Sequence, residues 1–284
     1  MRKDLAAVVS RATELGYPRV AIQTNGRIAT KLPTRVEELI AAGAKIWGVN
    51  IDGPLEVHDA MRQRGHWYEE ALSFADRICN DSRLTTTITT LVSKKNYQFL
   101  PEVHETVLEL NPDIWRIALF DPIGRGAESS SEYTLAPDEL RQVVEYIAEV
   151  RAFHESESFE TEIACGGWLG REWEGIVRPF VFHCVSGLDT MTILYDGGIT
   201  GCPVVSRKLI QGNVRDDRVH KIWNERFQYF RNASQRAPKK CLSCSDWRCC
   251  HGGCMHNFER LEQGWETPFC LRDQVEGGMI NGAK

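Results

Sequence analysis

No uncharged apolar run in the 284 residues approaches the length of about 18 that spans a bilayer, so no membrane segment is expected. An excess of one charge is missing too: a net charge of −5 exerts no long-range pull on nucleic acid. The opening "MRKDLAAVVSRATELG" lacks the unbroken apolar core of a secretory signal and carries acidic residues. These absences together predict a cytoplasmic setting, reducing enough to disfavour disulfides. Internal repeats beyond a helix–strand alternation and low-complexity tracts are also absent. Cysteine is scarce before residue 180, where only Cys79 and Cys165 occur, each isolated. A lone Cys usually acts as a small buried hydrophobe.

What is present begins with alternating helical and strand-like text. Leu5, Val8, Val9, Ala12 and Leu15 recur at helical spacing, with Asp4 placed to cap the start and Gly16 and Pro18 to end it. Short apolar strands follow at "RVAIQTNG", "KIWGVNIDG", "LTTTITTLV" and "DIWRIALF", separated by helix-length segments carrying Val36, Leu39 and Ile40, residues 67–79, and "YQFLPEVHETVLEL". Strands joined by helices of that length predict an α/β fold with a parallel sheet. The polar strand ends "QTNG", "NIDG" and "FDPIGRG" lie where such folds bind ligands, although Asn25-Gly26 and Asp52-Gly53 also serve as ordinary turns. Residues 124–135 read as an exposed loop, followed by a helix carrying Leu140, Val143, Val144 and Ile147. "MTILYDGGITGC" reads as a hairpin turning at Asp196-Gly197-Gly198. A domain boundary is expected between residues 165 and 183.

Five of the ten cysteines fall in "CLSCSDWRCCHGGC", residues 241–254. A zinc ribbon needs two CxxC knuckles, and only Cys241–Cys244 forms a clean one. The surplus of thiols fits iron–sulfur cubes better, because each takes four thiolates, often from distant segments. Glycines such as those of "HGGC" let backbone N–H groups turn toward the anionic sulfurs.

The spacing resembles the SPASM family of radical S-adenosylmethionine enzymes. Cys184, twelve residues, Gly197, four residues, Cys202 is similar to the opening half of that family's signature. Cys241, two residues, Cys244, five, Cys250, three, Cys254, then a gap to Cys270, is similar to its closing half. "LIQGNVRDDRVHKIWNERF" looks like the family's GN stretch and the helix after it, with Ile222 and Trp223. Upstream, residues 2–26 and "VNIDGPLEVHDAMRQRG" resemble barrel text that carries contacts to S-adenosylmethionine. By that resemblance those contacts fall on Gln23, Asn50 (in place of the usual Ser) and Arg62. Without the resemblance, Arg62 reads equally as a surface ion pair with Asp59. The implied architecture is a partial (βα)6 barrel of about four βα units in residues 1–125, a connecting region in 126–180, and a small Cys-rich α+β domain in 181–284.

Two auxiliary 4Fe–4S clusters are implied. Cys184, Cys202 and Cys254 would hold the first, and Cys241, Cys244, Cys250 and Cys270 the second. The first is then one thiolate short. An open or solvent-filled position is expected there, with Cys165 and Cys249 as alternatives. His183, His251 and His256 adjoin ligands and are expected to pack or hydrogen-bond rather than bind iron. The chain lacks the family's CxxxCxxC triplet and its GGEP segment. The expectation is therefore a shortened form of a longer parent, with the third cluster and the S-adenosylmethionine chemistry belonging to that parent. The resemblance implies modification of a peptide or small protein, with a reductant such as flavodoxin or ferredoxin. Sulfatase maturases carry an acidic residue after the second signature cysteine, where this chain has Pro203. Arg125 is expected near the substrate. A non-catalytic peptide-binding module, stapled by iron–sulfur or zinc, is the competing class.

Overall fold

The computed structural model describes residues 2–62, 67–153, 159–258 and 270–277. The chain divides into two compact units, Met1–Phe120 with Tyr146–Ala164 and Asp121–Glu145 with Cys165–Lys284. Among the described residues, no helix is long and apolar enough to cross a membrane.

The first unit is built on a parallel sheet of five strands: β1 (Ala21–Thr24), β2 (Ile46–Asn50), β3 (Thr85–Val92), β4 (Ile114–Leu119) and β5 (Glu160–Ile163). Spatial order equals chain order, β1-β2-β3-β4-β5. A sheet that winds steadily one way is the barrel-type progression; a doubly wound sheet reverses at a switch point. The expected α/β class is what the structure shows, with one strand more than the four read from the sequence.

The register sorts the sheet residues onto two faces. Trp47, Val49, Ile88, Trp115, Ile117 and Ile163 share one face and are all buried. Val36, Leu39 and Ile40 of the helix Pro33–Ala42, Phe74 and Ile78 of Tyr68–Cys79, and Val103 and Val107 of Leu100–Leu110 are buried as well. The helical periodicity seen in the sequence is the spacing of these core side chains. The first helix, Leu5–Glu14, begins without a side-chain cap; Asp4 instead pairs with Arg2 at 2.6 Å, a contact whose partners are both on the surface.

The second unit carries little regular structure. Strands β6 (Thr192–Ile193), β7 (Gly198–Thr200) and β8 (Gly212–Asn213) form a small antiparallel sheet with the expected hairpin at residues 194–198. Its apolar cluster is Ile199, Val205, Ile222, Phe227, Phe230 and Met255. Residues 124–133 are not an open loop: they form a 3-10 segment, Gly124–Ser129, and a helical turn, Ser130–Tyr133.

Candidate functional site

On the other face of the sheet, Asn50, Thr89, Arg116 and Glu162 stand in register across four neighbouring strands. Arg116 Nε donates to Glu162 Oε1 at 2.6 Å, an ion pair that partners a nearly buried side chain. Gln23 shares this face and is paired with Gly48. A Cβ on Gly48 would lie 2.1 Å from Gln23 Oε1, so the glutamine side chain lies flat across the glycine. Gln23 and Asn50 are therefore brought onto one polar face. Arg116 and Glu162 were missed in the sequence, although their alternation with apolar neighbours was the available signal.

Arg62 is placed differently from the expectation of a pair with Asp59. It forms an ion pair with Asp52, whose side chain is fully buried. Asp52 Oδ1 also accepts from Leu91 N–H at 2.9 Å, and Asp52 N–H donates to His58 Nδ1 at 3.0 Å. Asp59 accepts from the Trp67 and Tyr68 N–H groups, both at 2.9 Å. The "NIDG" aspartate thus locks the end of β2 to β3 and to the helix Leu55–Met61. The Arg125 side chain lies outside the described residues.

In the second unit the thiols gather in two places. Cys241, Cys244, Cys250 and Cys270 line one recess together with Arg272 and Gly253. Cys241 comes from the helical turn Lys239–Leu242, Cys250 from Trp247–Cys250, and Cys270 precedes the helix Leu271–Val275. Cys244 Sγ accepts from Asp246 N–H at 3.4 Å and from Arg272 Nη1 at 3.1 Å. The Arg272 guanidinium works against its own burial, but the nearby Asp273 and thiolates hold its pKa above the ordinary value. Burial pushes the Cys241 and Cys250 thiols up to about 11 and Cys270 up to about 12, so binding a metal there releases protons.

The second gathering holds Cys165, Cys184 and Cys254. The Cys254 thiol is hydrogen-bonded to both Cys165 and Cys184. These bonds bring the pKa of Cys184 and of Cys165 down to about 6 against their burial, and raise that of Cys254 well above the usual thiol range. Met255 N–H points at Cys184 Sγ at 3.4 Å. Cys184 and Cys202 pack against the same apolar cluster. A Cβ on Gly201 would fall 2.5 Å from Ser186 Oγ, showing how closely the two cysteine segments pass.

A tetrahedral zinc needs thiolates about 3.8 Å apart, from Zn–S bonds of about 2.3 Å. Among the described residues no three His, Cys, Asp or Glu side chains are grouped to hold a single metal ion. A cube is larger than one ion and takes its thiolates from the rim of a recess, as the four around Arg272 are set. Donors aimed at Cys244 and Cys184 are the N–H···S contacts that a charged cluster requires. The four thiols around Arg272 fit the group.

Of the three histidines beside cysteines, His256 is buried and bonds Asp121 Oδ2 through Nε2 at 2.7 Å. Burial alone would lower its pKa; the Asp121 carboxylate and the nearby thiolates outweigh that and raise it. His183 faces Asp189 on the surface, and His251 caps a helical turn with a left-handed backbone. Cys249 and Cys250 sit in one helical turn, Trp247–Cys250.

Residues 184–245 match the family described as SPASM, an iron–sulfur cluster-binding domain. The AdoMet-dependent heme synthase of Methanosarcina barkeri is 26% identical over 290 residues, covering 95% of this chain and 79% of that protein. The crystal structure of Streptococcus suis SuiB superposes with a TM-score of 0.68 at 16% identity, over 96% of this chain and 63% of that one. SuiB is also known bound to its precursor peptide SuiA. The structure of anSMEcpe with bound AdoMet and a Kp18Cys peptide superposes with a TM-score of 0.60 at 15% identity, over 98% of this chain and 87% of that one. The chain therefore spans somewhat less than two thirds of the SuiB chain, and its fold is that of these structures. The resemblance to SPASM-domain radical S-adenosylmethionine proteins, first drawn from the cysteine spacing, stands.

Proposed function

We propose that the second unit binds two 4Fe–4S clusters and that the polar sheet face of the first unit binds S-adenosylmethionine, sites that serve peptide modification where the family's catalytic cluster is also present. The observation that carries this reading is the convergence of Cys241, Cys244, Cys250 and Cys270, from separated segments, on one recess whose Arg272 already donates to sulfur. A bound auxiliary cluster supplies one-electron transfer. The protein's own part is to hold the thiolates, shield them with Arg272 and N–H donors, and exclude water with Trp168 and Phe182, both buried beside Cys254. Gln23 and Asn50 would hydrogen-bond the S-adenosylmethionine. Arg62 would act through its ion pair with Asp52, which fixes the loop after β2. A low-potential carrier such as flavodoxin or ferredoxin is the matching reductant.

The ligand sets are tested by iron analysis of single variants. Cys244→Ala and Cys184→Ala are each expected to remove about half of the iron, by emptying different clusters. Unchanged iron in either variant contradicts its assignment.

A peptide substrate is supported by the peptide-bound structures of similar fold. A second reading, a tetrapyrrole substrate, is favoured by the heme synthase relative, which aligns with nearly the whole chain. Titration of the reconstituted protein with iron porphyrin separates the two. A saturable shift of the porphyrin absorption band supports the second reading, and no shift supports the first.

A further inference from the structure

Four thiolates complete a cube, and the family signature leaves the first cluster with three. We propose that Cys165 is the fourth ligand of that cluster, closing the position that the sequence reading left open; this rests on the two-cluster reading above. The Cys165 thiol is in hydrogen-bond contact with Cys254, which in turn contacts Cys184, so three thiols from three separated segments already meet. All of them belong to the second unit.

The segment that presents Cys165 is anchored to the ligand loops. Trp168 is buried, and its Nε1 donates to Asp246 Oδ2 at 2.9 Å, two residues beyond Cys244. The buried Arg178 donates through Nη2 to Gly167 O at 3.3 Å. Gly167 has φ +145, and a Cβ there would meet Leu271 Cδ1 at 3.1 Å, in the helix just after Cys270. A Cβ on Gly253 would lie 4.0 Å from Gly167 Cα, so "CGGW" and "HGGC" run against each other. A cysteine that only fills space lies in an apolar core. Cys165 is solvent-exposed as a residue, with its thiol turned to other thiols.

Ligation needs no oxidant. The S–Fe bond forms as the thiol proton leaves to solvent, and no electron moves. The functional consequence is a saturated first cluster. Substrate then has no iron to bind at that cluster, which is left to exchange electrons.

The test uses the anaerobically reconstituted full chain, with 13C-cyanide as a probe for an open iron and magnetic resonance of the reduced clusters as the readout. Wild type is expected to show no cyanide coupling. Cys165→Ala is expected either to show it or to convert the first cluster to a three-iron form, while the second cluster's spectrum stays unchanged. That unchanged spectrum is the control for folding, and Cys249→Ala is expected to match wild type. Cyanide coupling in wild type with no change in Cys165→Ala overturns the proposal, as does an iron opened by Cys249→Ala instead. A wild-type chain that takes up no iron removes the two-cluster reading, and this proposal with it.

Discussion

Gly197, the glycine of the cysteine signature, combines two constraints that exclude a side chain. Its φ is +87, and an added Cβ would lie 2.7 Å from Asn213 Oδ1. Asn213 donates to Asp196 O at 3.2 Å and so holds the turn of the hairpin that leads into Cys202. Gly197→Ala is expected to cost about 1–2 kcal/mol from the backbone alone. Thermal unfolding of the cluster-loaded protein reads it, and an unchanged midpoint contradicts it. Arg272 makes a different kind of demand. Its guanidinium lies 3.1 Å from Cys244 Sγ and favours the reduced, more negative cluster. Arg272→Gln is expected to make the reduction potential of the second cluster more negative, with Arg272→Lys recovering part of the shift. An electron paramagnetic resonance redox titration measures this, and equal potentials for wild type and Arg272→Gln contradict it. The seven signature cysteines were legible in the sequence by their spacing alone. Cys165 was one of two alternatives there and Arg272 was not singled out, because what matters about each is a contact across distant segments.

Among the elements, the end of β2 is the most tightly tied. The Asp52 carboxylate is buried between Arg62 and the β3 backbone while its own N–H donates to His58 Nδ1, and removing the carboxylate strands the arginine charge. Asp52→Ala is expected to destabilise the protein by on the order of 3 kcal/mol, the lower end for a buried pair because Arg62 keeps some contact with water. Chemical denaturation checks the size, and a loss below about 1 kcal/mol, the range of an exposed pair, contradicts the buried-pair account. Gly48→Ala acts on the polar face of the sheet by driving the Gln23 amide off it. Loss of about one hydrogen bond predicts roughly tenfold weaker S-adenosylmethionine binding by calorimetry. Unchanged affinity contradicts a role for Gln23. The four strands with apolar cores were readable from the sequence. β5 was not, because Glu160 and Glu162 make it look exposed, and only Arg116 on the neighbouring strand explains a buried glutamate. The pairing of Arg62 was also hidden: Asp59 is nearer in sequence, but its oxygen is occupied by the N–H groups of Trp67 and Tyr68.

For the molecule as a whole, the 284 residues contain no CxxxCxxC triplet, the group whose three thiolates hold the family's catalytic cluster by resemblance. This polypeptide is therefore expected to bind S-adenosylmethionine without forming 5′-deoxyadenosine when incubated with reductant; clear production of the nucleoside contradicts that expectation. The broad α/β plan and the cysteine-rich unit followed from periodicity and spacing. Substrate identity did not, since neither periodicity nor cysteine spacing carries it. The central claim, two cubes held by converging thiolates, is tested most directly by counting metal and sulfide after anaerobic reconstitution of the wild-type chain. The account predicts a brown protein with about eight irons and eight sulfides per chain. A colourless protein holding stoichiometric zinc and no sulfide would contradict it.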